Sequence, residues 1–301
     1  MRAADGRADA VQRVPDVVDV LTEAEGPAEN YLLVGSDTRE GIETDDPAIG
    51  DAGNVTGRRS DTIMILRREA NGAALLSVPR DLWVPIAGSG EEDRINSAYN
   101  DGADRLAETI TASLGIPIQH YVEVDFVGFT EIVDAVGGVE LCVLFATRDV
   151  KSSLDLQPGC HQLNGAQALA YVRSRTYEEF RDGDWQVDPR ADLGRIERQQ
   201  TFIRTAVQGL LDQVRSDPFA LSPLIGAAVE SVSVDDGTDP AEAAQALRAA
   251  AARGLTTYTL PVVGAEIDGK SVVTLGDGSA RILDYFRGLK PAPPPPTTTT
   301  P

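Results

Sequence analysis

Arginines and aspartates at the ends of apolar runs are the residues of this chain best placed to do chemistry. Leu33-Val34-Gly35-Ser36-Asp37-Thr38-Arg39 sets an aspartate and an arginine directly after such a run, and Gly57-Arg58-Arg59-Ser60-Asp61-Thr62 sets both directly before one. Ser77-Val78-Pro79-Arg80-Asp81 again follows one, and Tyr171-Val172-Arg173-Ser174-Arg175 closes a helical run with two arginines spaced by two. If residues 172–175 are extended, a period of two sends both guanidinium groups to one face. The segment Asp192 to Gln200 opens the longest helical stretch, with Asp192 placed to cap it. At about 100° per residue, Ile196, Ile203, Val207, Leu210 and Val214 share one buried stripe. Arg195 and Gln199 border that stripe one turn apart and can reach into a cleft, whereas Arg198 points almost opposite, toward water.

Planar guanidinium forks bind phosphate or carboxylate oxygens in pairs, which lysine cannot do. Of the 27 basic residues only Lys151, Lys270 and Lys290 are lysines. The chain contains no GxSxG, GxxxxGK[ST] or HExxH, and no GxGxxG after a strand; it has two histidines. Arginines gathered with carboxylates but without a nucleophile suggest phosphoryl chemistry, in which the protein positions and neutralises. Asp37 and Asp61 suit a divalent ion, magnesium or manganese, because magnesium takes one or two carboxylates together with phosphate oxygens.

Other polar residues have simpler roles. Asp81 and Asp101 read as turn or cap residues. His120 reads as a packed or surface histidine within a strand, and His161 as a turn residue with no role. Asp125 reads as a strand-end aspartate capping Gly128. Glu178, Glu179, Asp182 and Asp184 with Trp185 read as a solvated loop, the tryptophan alternatively stacking on a sugar ring. Cys142 and Cys160, 18 positions apart, fit either one disulfide or two buried thiols.

The elements that must position these residues follow an α/β rhythm. Strands are expected at Tyr31 to Val34, Thr62 to Leu66, Ala73 to Val78, His120 to Phe126, Val139 to Leu144, Thr256 to Leu260 and Ser271 to Thr274. Helices are expected at Ala98 to Leu114, Thr130 to Val136, Gly165 to Tyr171, Asp192 to Arg215, Leu221 to Val232, Pro240 to Ala252 and Gly278 to Phe286. With 301 residues the chain can form two domains or one large α/β domain, and the absence of a Pro- or Gly-rich linker within residues 30–288 favours one. A formal net charge of −20 repels polyanions and argues against nucleic acid as a partner. No run approaches the ~18 apolar residues of a membrane helix. Residues 1–29 hold many acids and no apolar h-region, and 289–301 form a Pro/Thr-rich spacer; both ends read as segments that join something else.

Taken in order, GSDTR, GRRSDTIMIL, LLSVPRDLWVPI, INSAYNDGA, IPIQHYVEVDFVGFTEIVDAVGGVEL, LQPGCHQLNGAQALAYVRSR and DLGRIERQQ closely resemble the motifs of the LytR-CpsA-Psr family, over roughly residues 30–288. The resemblance implies an α/β/α sandwich with a central mixed sheet and a deep apolar tunnel for a polyprenyl chain. It implies an extracytoplasmic domain on an N-terminal transmembrane anchor that these 301 residues do not include. The activity implied is a phosphotransfer that moves a glycopolymer phosphate from a polyprenyl-pyrophosphate carrier to peptidoglycan, with water able to replace the sugar hydroxyl in a pyrophosphatase side reaction. Carried over by motif, Arg59, Arg80, Arg173, Arg175, Arg195 and Gln199 bind the pyrophosphate, Arg80, Asp37 and Asp61 serve catalysis, and Asp37 and Asp61 hold Mg²⁺. Extracytoplasmic placement favours a Cys142–Cys160 disulfide. The Arg- and Ala-rich composition resembles members from high-GC Gram-positive bacteria, and the motifs fit arabinogalactan, teichoic acid or capsule alike.

Two insertions depart from the simplest family pattern, Glu40 to Val55 and the acidic stretch between Arg175 and Arg195. The rival readings are a polyprenyl-phosphate carrier or scaffold without turnover, a lipid pyrophosphatase, and a transcriptional regulator. The charge, and the lack of a basic patch or recognition helix, count against the last.

Overall fold

The computed structural model describes residues 11–24, 26–36, 60–190, 192–216, 231–239 and 253–294; at Asp61, 192–193, 210–211 and 213–216 it describes the backbone alone. Asp37 and Arg59 therefore lie outside the described residues, as do the helices expected over 221–232 and 240–252 apart from Ser231 and Val232. The described residues form two compact units, the second (Asp125–Ser231) inserted in the chain of the first. The chain passes directly from Val124 of one into Asp125 of the other, so no linker composition marks the boundary.

The first unit is built on a seven-stranded sheet. Its strands run in the order Gln12–Arg13, Ser233–Val234, His120–Val124, Glu29–Ser36, Ser60–Glu69, Gly72–Val78 and Leu255–Thr259. His120–Val124 lies parallel to Glu29–Ser36, which pairs antiparallel with Ser60–Glu69, and the sheet is accordingly mixed. Near-continuous runs such as Ala73 to Val78 are buried along their length, which explains why they read as apolar blocks and not as alternating strands. Helix α1 (Ala103–Leu114) packs Leu106, Ala107, Ile110 and Leu114 into the same core as Leu32, Val34, Ile63, Ile65 and Leu76. Full burial of each leucine or isoleucine there stabilises the unit by roughly 1.5–3 kcal/mol.

The single helix expected over Ala98 to Leu114 is divided: a 3-10 turn at Ile95–Asp101 precedes α1, separated from it by Gly102 at φ 124°. The helical spacing runs on through that break, so periodicity alone concealed it. At the other end α1 stops where the sequence predicts, with Gly115 left-handed at φ 68° and its amide donating to Thr111.

In the second unit, α2 (Phe126–Ala135) is capped by Asp125, whose carboxylate accepts from the Gly128 amide at 2.7 Å as expected. Helix α3 (Gly165–Arg173) begins with a reciprocal capping box between Asn164 and Gln167. Its first residue must be small, because a Cβ on Gly165 would come within 2.4 Å of the Thr130 carbonyl oxygen. The strands Val139–Val143 and Gly159–Leu163 pair antiparallel, with Cys142 opposite Cys160 and a disulfide between them. Helix α4 (Asp192–Ser216) completes the unit.

The acidic stretch after Arg175 is not a loop. Glu178–Arg181 and Asp184–Val187 form a β-hairpin, and Glu178 and Glu179 also pair with Thr147–Asp149. Asp182 and Gly183 at the turn both have positive φ, 55° and 87°, as a two-residue type I′ turn demands. Trp185 meets Phe180 edge-on at 5.4 Å, and the Arg148 guanidinium lies 4.0 Å from the Trp185 ring centroid.

Candidate functional site

Each unit carries its own share of the predicted residues. In the first, strand register decides their placement. Ser36 pairs with Ser60, Gly35 with Thr62, and Ile63 with Val78, so the backbone of Asp61 and the turn carrying Arg80 lie at the same end of the sheet. Arg80 Nε is 3.5 Å from the Asp81 carboxylate, which also lies 3.6 Å from Arg94. Ser36 and Ser60 are fully buried, and neither hydroxyl has a hydrogen-bond partner among the described residues. His120, farther along the sheet, stacks on Tyr31 at 4.3 Å and meets the Thr238 hydroxyl at 2.7 Å, consistent with a packed histidine.

In the second unit, the first turns of α4, which carry Arg195 and Gln199, pack on the segment that leaves α3 and carries Arg173 and Arg175. Gln199 Nε2 donates to the Val172 carbonyl at 3.2 Å. Residues 172–175 are not extended: Arg173 is the last residue of α3, and Ser174 leaves the helix at φ −55°, ψ 124°. The two arginines therefore differ in setting, since the Arg173 guanidinium sits 4.4 Å from the Phe126 ring centroid while Arg175 is exposed.

The opening of α4 is buried almost all round. Arg195 is 3% exposed and Gln199 8%, as their position beside the apolar stripe suggested. Arg198, expected in water, is 7% exposed. Its guanidinium donates to the Ser174 carbonyl at 2.7 Å and to Asp188 at 3.1 Å and lies 4.4 Å from the Tyr177 ring centroid. A helical wheel assigns one face to the core, but residues 174–188 cover the opposite face too, and only tertiary structure reveals that cover. Of the expected stripe Ile196 is buried, but Ile203 and Val207 are only half-buried, and Phe202, on the flank shared with Arg195 and Gln199, is the residue that enters the core. The Asp192 side chain lies outside the described residues.

Burial pulls the Arg198 guanidinium below its ordinary value, with Tyr171 and Asp188 opposing that shift. Burial would raise the Asp188 carboxyl, but hydrogen bonds from Arg190 and the charges of Arg190 and Arg198 hold it below the usual carboxylate range.

Asp149 was absent from the sequence-level set. It is 1% exposed, at the end of the Thr147–Asp149 strand, and its carboxylate accepts from the Ser174 hydroxyl at 2.7 Å and from the Arg175 and Thr176 amides at 3.0 and 2.9 Å. The Thr176 hydroxyl and the Lys151 amide donate to its other oxygen at 2.8 and 2.9 Å. No local pattern in Thr147-Arg148-Asp149-Val150 announces this role, which depends on pairing across 25 to 27 positions. Among the described residues, no group of three or more His, Cys, Asp or Glu side chains is arranged to hold a metal.

A model of the LytR_cpsA_psr family matches residues 3–283. The chain belongs to this family. The LytR-Csp2A-Psr enzyme from Actinomyces oris superposes on it with a TM-score of 0.74 at 27% identity, covering 92% of this chain and 95% of that one. The mixed central sheet is thus the LytR_cpsA_psr fold. Among relatives, the probable cell wall biosynthesis protein LcpB of Corynebacterium glutamicum is 35% identical over 263 residues, 84% of this chain and 59% of that protein. The polyisoprenyl-teichoic acid–peptidoglycan teichoic acid transferase TagU of Enterococcus faecalis is 37% identical over 187 residues, 60% of this chain and 54% of that protein. The chain spans a little over half the length of these curated relatives.

Proposed function

We propose that this LytR_cpsA_psr chain is a phosphotransferase that moves a glycopolymer phosphate from a polyprenyl-pyrophosphate carrier to peptidoglycan, at the extracytoplasmic face of the membrane. The observation that carries the reading is the buried start of α4: Arg195 and Gln199 lie in the protein interior beside the turn bearing Arg173 and Arg175. Guanidinium forks bind phosphate oxygens in pairs, and three arginines with a glutamine on two adjoining segments suit a pyrophosphate. The kinship with a teichoic acid transferase supports the same chemistry. The Cys142–Cys160 disulfide suits an oxidising compartment.

In this reading Arg59, Arg80, Arg173, Arg175, Arg195 and Gln199 bind the pyrophosphate oxygens. The acceptor hydroxyl oxygen attacks the phosphorus that carries the polymer, and the bond from that phosphorus to the bridging oxygen breaks. Polyprenyl phosphate leaves with the electron pair, and the hydroxyl proton goes to Asp37 or Asp61. The arginines favour this step because charge gathers on the leaving phosphate as the bond breaks. Asp37 and Asp61 would hold Mg²⁺ or Mn²⁺, with the buried hydroxyls of Ser36 and Ser60, which have no partner among the described residues, as further hard oxygen donors beside them in sequence. When bound, the ion supplies charge neutralisation to the phosphate oxygens. The polyprenyl chain would occupy the apolar tunnel that the family likeness implies, at ~0.8 kcal/mol per buried CH₂. Water in place of the sugar hydroxyl would make the same site a lipid pyrophosphatase.

The test is phosphate release from a polyprenyl pyrophosphate, with and without Mg²⁺, by the wild-type protein, Arg80→Ala and Asp61→Ala. Metal-dependent release that both substitutions abolish supports the reading. Tight lipid binding without release, surviving Asp61→Ala, favours a carrier instead.

A further inference from the structure

Chain segments between a helix and a strand are normally loose, but residues 172–177 have their backbone groups held from two sides. On one side the Val172, Ser174 and Tyr177 carbonyls accept from Gln199 at 3.2 Å, Arg198 at 2.7 Å and the Asp188 amide at 2.8 Å. On the other, the Arg175 and Thr176 amides and the Ser174 and Thr176 hydroxyls all donate to Asp149. Such saturation leaves the segment little freedom to rotate. Arg173 and Arg175 are carried on it.

We propose that Asp149 is the positioning residue of the arginine turn: its buried carboxylate gathers Ser174, Arg175 and Thr176 around itself and so fixes the direction from which Arg173 and Arg175 meet a pyrophosphate. The inference rests on the phosphotransferase reading and names a residue outside its ligand set. The chemistry suits the task. An ionised carboxylate accepts several donors at once, whereas its neutral isostere asparagine would turn an NH₂ group toward N–H and O–H donors. Burial would raise this carboxyl, but the Ser174 and Thr176 hydrogen bonds outweigh it and keep its value below the ordinary one. The anion is thus the form that the turn is built to hold. A displacement of about 1 Å in a ligand-positioning group can cost on the order of 100-fold.

The experiment compares the wild-type chain with Asp149→Asn, Thr176→Val and Thr176→Ser. It reads KM and kcat for polyprenyl-pyrophosphate cleavage, and affinity for inorganic pyrophosphate by calorimetry. Asp149→Asn is expected to weaken pyrophosphate binding and raise KM by roughly 10- to 100-fold. Thr176→Val should do the same to a smaller degree, and Thr176→Ser, which restores the hydroxyl, should return toward wild type. In an Arg175→Ala background Asp149→Asn should add little, since the turn then has less to position. If Asp149→Asn does not fold, the Thr176 pair decides. Leu106→Ala, a core truncation on α1 of the first unit, controls for stability loss alone and should leave KM unchanged. Unaltered KM and affinity in Asp149→Asn, or equal effects of Thr176→Val and Thr176→Ser, overturn the inference while leaving the phosphotransferase reading intact. A wild-type chain that neither binds nor cleaves polyprenyl pyrophosphate overturns both.

Discussion

Arg198 donates a 2.7 Å hydrogen bond to the carbonyl oxygen of Ser174, the residue between Arg173 and Arg175. The second turn of α4 is thereby tied to the end of α3, and the same guanidinium reaches Asp188 beside the hairpin. One side chain therefore joins three segments of the second unit.

Removing it should be severe. Arg198→Ala leaves the Ser174 carbonyl and part of the Asp188 charge buried without their donor, and breaking a buried pair this way costs about 3 kcal/mol. Arg198→Lys keeps the charge but not the fork that serves two acceptors, so it should recover only part of that loss. Urea unfolding of the three proteins measures both.

Stability should fall in acid through Asp149. Its carboxyl lies below the ordinary value of 3.8 in the folded protein, so its contribution is complete above the unfolded value and is lost as pH falls through the folded one. The wild type should therefore lose more stability than Asp149→Asn as pH is lowered below about 4. Unfolding curves across that range test the sign.

Reduction of Cys142–Cys160 should lower stability by about 3 kcal/mol, the loop-closure entropy of an 18-position separation. Because the bridge joins two adjacent paired strands, the double serine variant should keep the native circular dichroism at low temperature while melting earlier.

Gly165→Ala should be destabilising despite alanine's helix propensity. The new Cβ would meet the Thr130 carbonyl oxygen at 2.4 Å, a backbone atom that cannot swing aside, and overpacking of this kind costs roughly 1–3 kcal/mol. A neutral or stabilising result by thermal melting would show that α2 and α3 separate without cost.

The sheet was legible in the sequence because its strands are apolar blocks bounded by turns. Ala73 to Val78 announced itself, as did the Gly115 stop of α1; the strand from His120 was read two residues too long, to Phe126, and the first turn of α2 was missed although the Asp125–Gly128 contact was read. Arg195 and Gln199 were legible because they border the apolar stripe of α4. Arg198 was not, since its cover comes from residues 174–188 and a wheel sees only its own helix. The hairpin carried a signal that composition masked: Asp182-Gly183 is a type I′ dipeptide, but the acids around it read as solvated chain. Asp149 left no local trace of its role, because all its donors but the Lys151 amide lie more than twenty positions away.

Transfer itself is the central claim and can be measured directly. The chain is incubated with magnesium, peptidoglycan and a polyprenyl-pyrophosphate-linked glycopolymer, and polymer phosphate attached covalently to washed peptidoglycan is counted. The account predicts attachment by the wild type and roughly 100-fold less by Arg195→Ala, the scale expected when one charge-stabilising donor is lost. Attachment undiminished in Arg195→Ala, or donor bound by the wild type with no polymer reaching the peptidoglycan, would contradict it.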